Sequence, residues 1–203
     1  MDNAALFKLG YGLYVLSAKE GDKDNGCIIN TLLQVTSAPT LTGTIAVNKQ
    51  NYTHDMIVNS GQFNISVLTT QAPFDLFKHF GFQSGRNADK LSGYPGVKRS
   101  ENGLVYLSEH TNAYLSFKVS STIDFGTHTM FAADITAGET LGADESVTYA
   151  YYQRQIKPRP DASAQKKGYR CRICAYVYEG DPLPPDFICP LCKHGASDFE
   201  KIV

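Results

Sequence analysis

Short apolar runs that recur along residues 1–155 predict a protein built mainly from β-strands. The runs are rich in β-branched and aromatic side chains, and turn-forming Gly, Asn, Asp and Ser residues separate them. Many short strands with few helices indicate a β-barrel. The predicted strands are Leu13–Leu16, Thr44–Val47, Phe63–Leu68, Tyr114–Val119, Met130–Ile135 and Val147–Tyr152.

Two segments have the spacing of helices instead. The first is predicted to begin at His54, with Thr53 as its N-terminal cap, and to end at Ser60 before Gly61. The second ends at Gly81 and carries phenylalanines at three-residue intervals, which places them on one helical face. We expect this face to pack into the core rather than to line a cofactor site. The phenylalanines are Phe74, Phe77 and Phe80.

A linker is predicted near the C-terminal quarter of the chain. The stretch 155–167 contains two prolines, small polar residues and hardly any apolar side chains, a composition that is typical of a flexible tether. The sequence therefore predicts a larger domain over residues 1–154, a linker over 155–167 and a small domain over 168–203.

Four of the five cysteines form two Cys-x-x-Cys pairs in the small domain, with fourteen residues between the pairs. Each pair can place two sulfurs on one metal from a single tight turn. Four thiolates in a tetrahedral array bind zinc or iron, so ligand chemistry alone leaves both metals open. The predicted ligands are Cys171, Cys174, Cys189 and Cys192.

The surroundings of these cysteines resemble the rubredoxin family, whose members hold one iron for one-electron transfer. The resemblance rests on the Cys-Pro-Leu-Cys second pair, on tyrosines two and four positions after the first pair, and on Phe199 in the tail. It implies that the metal is iron and that aromatic side chains pack around it. Ala175 and Lys193 depart from the family pattern, because glycine is usual at both positions. The implied aromatic shell is Tyr169, Tyr176, Tyr178, Phe187 and Phe199.

Segments of the larger domain resemble the flavin reductase family, also called flavoredoxins. The order and spacing of four segments carry this resemblance, which covers most of residues 1–155. It implies a split β-barrel with Greek-key topology that binds FMN. The segments are Asn25–Ser37, Ala46–Asp55, Phe80–Lys90 and Asp124–His128.

The same segments contain the groups that FMN needs. A phosphomonoester binds cations and hydroxyl or amide donors, preferably at a helix start. Lys49 and Thr53 stand beside a predicted helix start, and the turn Ser84-Gly85-Arg86 could supply a second cluster. Alternatively, Lys49 and Arg86 are ordinary surface charges and Thr53 only caps its helix. The resemblance implies further contacts to the ribityl chain or the ring edge from Asn30, Thr31, Gln34, Asn48 and Asn51.

Two residues are candidates for contact with a nicotinamide. His128 resembles a position that faces the nicotinamide side of the flavin in this family, and Lys90 could anchor a nicotinamide phosphate or ribose. A structural histidine and a helix-end cation explain them equally well. No Gly-x-Gly-x-x-Gly motif follows a strand, so we expect NAD(P)H to dock on the flavin itself. No chemistry is assigned to Cys27.

Composition and charge exclude several partner classes. The 203 residues have a formal net charge of -1 and no long Lys/Arg run, which argues against nucleic acid as a partner. No apolar run approaches a membrane helix, and Met1–Ala4 does not resemble a signal peptide. Thiolate ligands favour a reducing compartment, so we expect a cytoplasmic protein without a membrane partner.

Together the two predicted domains indicate an electron-transfer oxidoreductase. A nicotinamide donates two electrons at once, one iron accepts one, and a flavin can connect the two. The arrangement is similar to that of high-molecular-weight rubredoxins, which implies a homodimer that passes electrons from NAD(P)H through FMN and iron to a flavodiiron oxygen or nitric oxide reductase. The alternatives are a flavin or ferric reductase that releases its reduced product, and a non-enzymatic zinc-ribbon binding module.

Overall fold

The computed structural model describes residue 5 and residues 8–158, 167–172, 176–189 and 195–202. The chain divides into two compact units, Met1–Lys157 and Pro158–Val203. Within the described residues, no helix is long and apolar enough to cross a membrane.

The N-terminal unit is organised around an antiparallel sheet. Its described strands are β1 (Tyr14–Glu20), β2 (Lys23–Ile29), β3 (Leu32–Thr36), β4 (Thr42–Asn48), β5 (Gln62–Leu68), β6 (Val97–Arg99), β7 (Val105–Leu107), β8 (Thr111–Asp124) and β9 (His128–Thr140). Seven strands form the main sheet in the order β2-β1-β5-β8-β9-β4-β3, and β6 pairs with β7. The fold is a split β-barrel, as predicted.

The interior of the barrel is filled by apolar side chains that alternate with outward-facing ones along each strand. On β4, Ile45 and Val47 are buried, whereas the alternating residues Thr44 and Ala46 are partly exposed. Phe63 of β5 and Phe117 of β8 stack inside the barrel with their ring centroids 4.6 Å apart. This alternation gives the barrel one apolar face and leaves the other face of β4 available for polar contacts.

Two helices pack against strands β1 and β2 of the barrel. Helix α1 (Tyr52–Ser60) contributes Met56 and Ile57 to the barrel core. Helix α2 (Phe74–Gly81) contributes Phe77 and Phe80 to a second apolar cluster. The phenylalanine stripe therefore packs into the core, as predicted. The short helix α3 (Tyr149–Tyr151) continues as a π-helical turn, Tyr152–Ile156.

Four of the six predicted strand runs lie within strands, and Leu13–Leu16 overlaps β1 from Tyr14 onward, but the prediction for Val147–Tyr152 is wrong. This segment is helical from Tyr149 onward, because the Thr148 hydroxyl accepts a hydrogen bond from the Tyr151 N–H (3.1 Å) and caps the helix. The Tyr152 ring packs on Phe77 at 4.6 Å between centroids. Tertiary packing thus overrides the β-propensity of this aromatic stretch. The predicted runs do not include β2, β3, β6 and β7 of this unit.

The start of the predicted linker also differs. Gln155 and Ile156 belong to the π-helical turn, and Ile156 packs against the second apolar cluster. Lys157 closes this turn, since its N–H donates to the Tyr152 carbonyl at 2.8 Å. Most of the predicted linker, residues 159–166, lies outside the described residues.

The C-terminal unit contains a small antiparallel sheet. Its described strands are β10 (Gly168–Cys171), β11 (Val177–Tyr178) and β12 (Phe199–Ile202), in the order β11-β10-β12, and a 3₁₀ turn, Ala196–Asp198, precedes β12. Gly168 has φ of +135°. A Cβ there would lie 2.1 Å from the Tyr178 carbonyl oxygen, so the strand pairing requires glycine at this position.

Candidate functional site

The outer face of β4 and β9 carries several of the predicted flavin-binding side chains. Asn48 of β4 pairs in register with His128 of β9, and Ala46 pairs with Met130. Because side chains alternate along a strand, these four residues lie on the same side of the sheet. The structure therefore brings Asn48, a candidate ribityl ligand, next to His128, the candidate nicotinamide-facing residue.

A cleft of about 340 Å³ opens beside this face, and it contains two of the predicted residues. The Thr31 hydroxyl donates to the Ala46 carbonyl (2.8 Å) and accepts from the Ala46 N–H (3.2 Å), which fixes Thr31 against β4. The cleft has an apolar floor with a few polar groups, as ligand pockets usually have. Its lining is Gly10, Tyr11, Gly12, Asn30, Thr31, Leu32, Leu33, Thr44, Ile45, Ala46 and Met130.

A larger cleft of about 870 Å³ contains none of the predicted flavin residues. Its walls carry four carboxylates, from Glu20, Asp22, Asp24 and Asp89, together with basic side chains. An acidic excess repels a phosphate, so this cleft does not suit FMN although it is the larger of the two clefts. The smaller cleft beside β4 agrees better with the chemistry of a flavin.

The predicted phosphate cluster lies around the start of α1. Asn51 occupies the N-cap position, but no side chain caps the helix. The Asn51 side-chain amide instead points at the Cys27 sulfur, 3.9 Å away. An uncapped helix N-terminus offers backbone N–H groups and a positive dipole end to an anion. The cations Lys49 and Arg86 flank this end, so the donor set fits a phosphate.

Both cations are held by carboxylates. Lys49 Nζ donates to the two oxygens of Asp124 at 2.7 and 2.8 Å, and an Arg86 NH2 group donates to Asp55 Oδ2 at 2.5 Å. The Lys49 ammonium lowers the pKa of Asp124 through its hydrogen bond. The pKa of Asp55 is lowered first by its hydrogen bond with His54 and then by Arg86.

The prediction that Thr53 caps α1 is wrong. Thr53 lies inside the helix and is fully buried. Its hydroxyl accepts a hydrogen bond from Asn25 Nδ2 at 2.8 Å, which ties α1 to β2. The cap position belongs to Asn51, two residues earlier. Sequence reasoning chose Thr53 because hydroxyl residues are common caps, and the helix begins earlier than predicted.

The turn that carries Arg86 approaches β2 closely at Gly85. The Ser84 hydroxyl accepts from the Arg86 N–H at 3.2 Å and shapes the turn. A Cβ at Gly85 would lie 2.0 Å from Asn25 Oδ1. Glycine is therefore required for this approach, and the turn places the Arg86 side chain beside α1.

Two other predicted residues are placed away from these clusters. The Lys90 side chain is only 2% exposed, and its ammonium donates to the carbonyls of Phe80 (3.3 Å) and Gln83 (3.2 Å). Burial lowers the pKa of Lys90. An anchor for a docking nicotinamide needs a solvent-facing cation, and Lys90 instead closes the end of α2. Gln34 lies exposed on β3, and its side chain donates to the Thr36 carbonyl.

The described part of the predicted metal centre consists of Cys171 and Cys189. Cys171 is 1% exposed and Cys189 is fully buried. The Cys171 N–H donates to the Tyr176 carbonyl at 2.8 Å, and a bridge joins Ile188 to Gly195.

The other two predicted ligands, Cys174 and Cys192, lie outside the described residues, and the described residues alone contain no group of three metal-binding side chains. Two buried cysteines nevertheless fit a thiolate metal site. Phe187 contacts the rings of Tyr178 (4.7 Å), Phe199 (5.3 Å) and Tyr176 (6.4 Å), so this part of the predicted aromatic shell forms one cluster. Tyr169 pairs in register with Tyr178 on the neighbouring strand, and its hydroxyl donates to Asp181.

Sequence reasoning gave no role to several residues of the phosphate cluster. Asp55 and Asp124 bind the two candidate cations, and the Tyr52 ring lies 5.0 Å from the Arg86 guanidinium and 4.8 Å from Lys23 Nζ. The ion pairs join residues that are far apart in sequence, so no local pattern could have indicated them.

Comparison with known proteins identifies the families of both parts of the chain. Residues 6–159 match the flavin reductase like domain, and residues 169–200 match the rubrerythrin, rubredoxin-like domain. The chain therefore belongs to the flavin reductase-like family and carries a C-terminal rubredoxin-like domain. This assigns it to the NAD(P)H-dependent flavin oxidoreductases.

Two relatives are similar over most of their length. The chain is 41% identical to the high molecular weight rubredoxin of Moorella thermoacetica, with both proteins covered completely. It is 33% identical to a ferric-chelate reductase (NAD(P)H) of Archaeoglobus fulgidus, over 81% of this chain and 96% of that protein.

Solved structures share the barrel fold at lower identity. An FMN-binding protein from Thermus thermophilus is 20% identical, with a TM-score of 0.60 over 66% of this chain and 72% of that one. Flavoredoxin from Methanosarcina acetivorans is 22% identical, with a TM-score of 0.58 over 64% of this chain and 69% of that one. These similarities establish the fold of the N-terminal unit.

Proposed function

We propose that this protein passes electrons from NAD(P)H through FMN to a rubredoxin-type iron and from there to an acceptor protein. The observation that carries the proposal is the union of a flavin reductase-like domain and a rubredoxin-like domain in one chain. Full-length identity with a high molecular weight rubredoxin supports it. When bound, FMN would accept a hydride from the nicotinamide and supply electrons singly, as one iron requires.

The outer face of β4 and the start of α1 are the proposed FMN site. The cleft at Asn30 and Thr31 would hold the ring, and Lys49 and Arg86 would bind the phosphate beside the uncapped helix end. Strand β4 connects the two regions, since Ala46 and Lys49 are separated by about 10 Å of extended chain. A ribityl chain can span that distance. Thr53, Ser84 and Gly85 would support this site by shaping α1 and the Arg86 turn.

A nicotinamide is proposed to dock on the exposed side of this ring. His128 is partly exposed beside Asn48, and its Nδ1 lies 2.9 Å from the Thr127 hydroxyl. That contact orients the imidazole at the edge of the candidate site. The position supports a role for His128 in placing the nicotinamide over the flavin, where distance and alignment control hydride transfer.

The proposed iron ligands are Cys171, Cys174, Cys189 and Cys192. A closed set of four thiolates leaves no position for a substrate, so the centre would only exchange electrons. Ile188, beside Cys189, is 54% exposed. An apolar side chain next to a buried ligand supports a contact surface for an acceptor, which we propose is a flavodiiron protein.

A homodimer with the flavin at the interface is also proposed. Leu33 and Val35 on the edge strand β3, and Ile123 and Phe125 near the β8–β9 turn, are large apolar side chains that are more than half exposed. Ile123 and Ala46 both pair with Met130 of β9, so this apolar surface adjoins the candidate ring cleft. A second copy would cover it. Phe125→Asp should shift the sedimentation coefficient to that of a monomer, and an unchanged dimer would contradict this surface.

The proposal is tested by cofactor content and by flavin affinity. Purified full-length protein should contain one iron per chain, and it should bind FMN more tightly than riboflavin. Lys49→Ala or Arg86→Ala should each raise the Kd for FMN by about tenfold or more, because a hydrogen bond to a charged group contributes about 1.5–3 kcal/mol. Lys118→Ala, which removes an exposed lysine of β8, is the control. Stoichiometric zinc, or equal affinity for the two flavins, would contradict the proposal.

A second candidate function is the reduction of a soluble ferric chelate, which the similarity to the Archaeoglobus fulgidus reductase favours. The iron centre separates the two functions. Removal of the C-terminal unit should abolish reduction of an acceptor protein, whereas a ferric-chelate reductase would keep its full rate without that unit.

A further inference from the structure

Each candidate phosphate-binding cation is already engaged by a carboxylate. Lys49 is bound by both oxygens of Asp124, and Arg86 is bound by Asp55. The two pairs are connected, since His54 contacts both Asp55 and the Thr129 hydroxyl, and Thr129 pairs in register with Asp124. An incoming phosphate therefore meets two cations that are partly neutralised.

The carboxylates are fixed by groups other than these cations. Asp55 Oδ1 lies 3.1 Å from His54 Nδ1, and His54 Nε2 lies 2.9 Å from the hydroxyl of Thr129 in β9. The Asp55 side chain is therefore connected to β9 through the His54 ring. Asp124 accepts a hydrogen bond from the Gly126 N–H at 2.7 Å, within the β8–β9 turn. The carboxylates would stay in place when the cations turn toward a phosphate.

Among the described residues the two cationic side chains, in contrast, donate hydrogen bonds only to these carboxylates. All four side chains are at least a third exposed, so a phosphate can reach the cations. The Tyr52 ring lies 5.0 Å from the Arg86 guanidinium and leaves its hydrogen-bond donors free for another acceptor. Carboxylates that have a second partner, beside cations that have no second hydrogen-bond acceptor among the described residues, are arranged to compete with a phosphate for these cations.

We propose that Asp55 and Asp124 set the affinity of this site for the flavin phosphate by competing with it for Arg86 and Lys49. This inference rests on the proposed phosphate site. Both ion pairs are exposed to solvent, so the competition from each carboxylate is modest. Replacing either one with asparagine should tighten FMN binding by about two- to fivefold, the range that exposed ion pairs support.

Riboflavin provides the decisive comparison because it has the ring and the ribityl chain but no phosphate. The carboxylates compete only for groups that bind the phosphate, so riboflavin affinity should stay the same in every variant. A change that merely loosened or tightened the fold would affect both flavins. The ratio of the two dissociation constants therefore isolates the phosphate contribution.

The experiment measures the Kd values of FMN and riboflavin by flavin fluorescence titration of the full chain. The variants are Asp55→Asn, Asp124→Asn and the double substitution, in which asparagine keeps the size of the side chain and an acceptor oxygen. Asp24→Asn is the control, since it frees Arg99 from an ion pair elsewhere in the unit and makes the same change in net charge. Thermal unfolding checks that each variant is folded.

We expect each single variant to bind FMN about two- to fivefold more tightly than the wild type, and the double variant to bind it more tightly than either single variant. The Kd for riboflavin should be the same in all variants, and Asp24→Asn should bind both flavins as the wild type does. Unchanged or weaker FMN binding in the variants, or equal tightening for both flavins, would overturn the competition while leaving the phosphate site intact. Equal affinity for FMN and riboflavin in the wild type and all variants would overturn the phosphate site itself.

Discussion

The two units of this protein differ in what their interiors are made of. The N-terminal barrel buries two clusters of aliphatic and aromatic side chains, to which its strands and both longer helices contribute. In the described part of the C-terminal unit, the buried residues are Gly168, Cys171 and Cys189. The cysteines there are the proposed metal ligands, and the aromatic cluster around Phe187 is only partly buried.

This difference indicates that the two cofactors relate to folding in opposite ways. A barrel with its own apolar core can fold first and bind a flavin on its outer face. A small unit whose described residues bury two proposed metal ligands and no aliphatic or aromatic side chain should gain much of its folding free energy from the metal. Loss of iron should therefore unfold the C-terminal unit, whereas loss of flavin should leave the barrel intact.

The largest expected effect comes from Cys189→Ser. Removing one thiolate should abolish iron binding, and the C-terminal unit should become sensitive to limited proteolysis because metal binding and folding are coupled there. The barrel should keep its melting temperature and its FMN affinity. Cys27→Ala, at the buried cysteine of the barrel, is the matched control and should keep the iron. A protease-resistant C-terminal unit in Cys189→Ser without metal would remove the contrast between the units.

The next largest effect should come from Phe63→Ala in the barrel. Phe63 is fully buried and stacks on Phe117, so the substitution should cost about 3–5 kcal/mol of unfolding free energy through the lost contacts and the cavity. Urea unfolding followed by tyrosine fluorescence measures this loss. Val58→Ala, at an exposed position of α1, should change stability little. Iron content should be unaffected, and a parallel loss of iron would show that the units do not fold independently.

A small pH effect should distinguish the charged surface of the barrel from its core. The pKa of Asp124 is lowered by Lys49, so its ionised form stabilises the folded state above the unfolded pKa of about 3.9. That contribution is lost as the pH falls through the lower folded value. Asp124→Asn should therefore be slightly less stable than the wild type at pH 7, and the difference in stability should be smaller at pH 3. Equal stability at both pH values would show that the pair contributes nothing.

Much of the fold could be predicted from local patterns. The alternation on β4 and the phenylalanine spacing of α2 are local signals, and both agree with the structure. The Cys-x-x-Cys pairs likewise indicate a metal site, because the ligand spacing is set within each turn. Val147–Tyr152 could not be predicted correctly, since its helix depends on Thr148 as a cap and on packing against Phe77.

The candidate flavin site was harder to predict because its geometry depends on contacts between distant segments. Lys49 and Arg86 were chosen for their charge, but their carboxylate partners come from other elements of the barrel. Lys90 has the same charge and a similar sequence setting, yet it is buried against the carbonyls at the end of α2. Lys49, Arg86 and Lys90 differ in burial, and the sequence does not indicate that difference.

The central claim is that electrons from a nicotinamide reach the iron through the flavin, with both units held on one chain. The most direct test is anaerobic stopped-flow measurement of iron bleaching after NADH is added to the FMN-loaded, iron-containing protein. The rate should not depend on protein concentration, and bleaching should be absent without FMN.

Cleavage of the chain between residues 159 and 166 should make the same reaction slow and concentration-dependent, because a tether supplies a high local concentration. Bleaching at an unchanged rate without FMN would contradict the flavin route, and an unchanged rate in the cleaved protein would contradict the role of the connection.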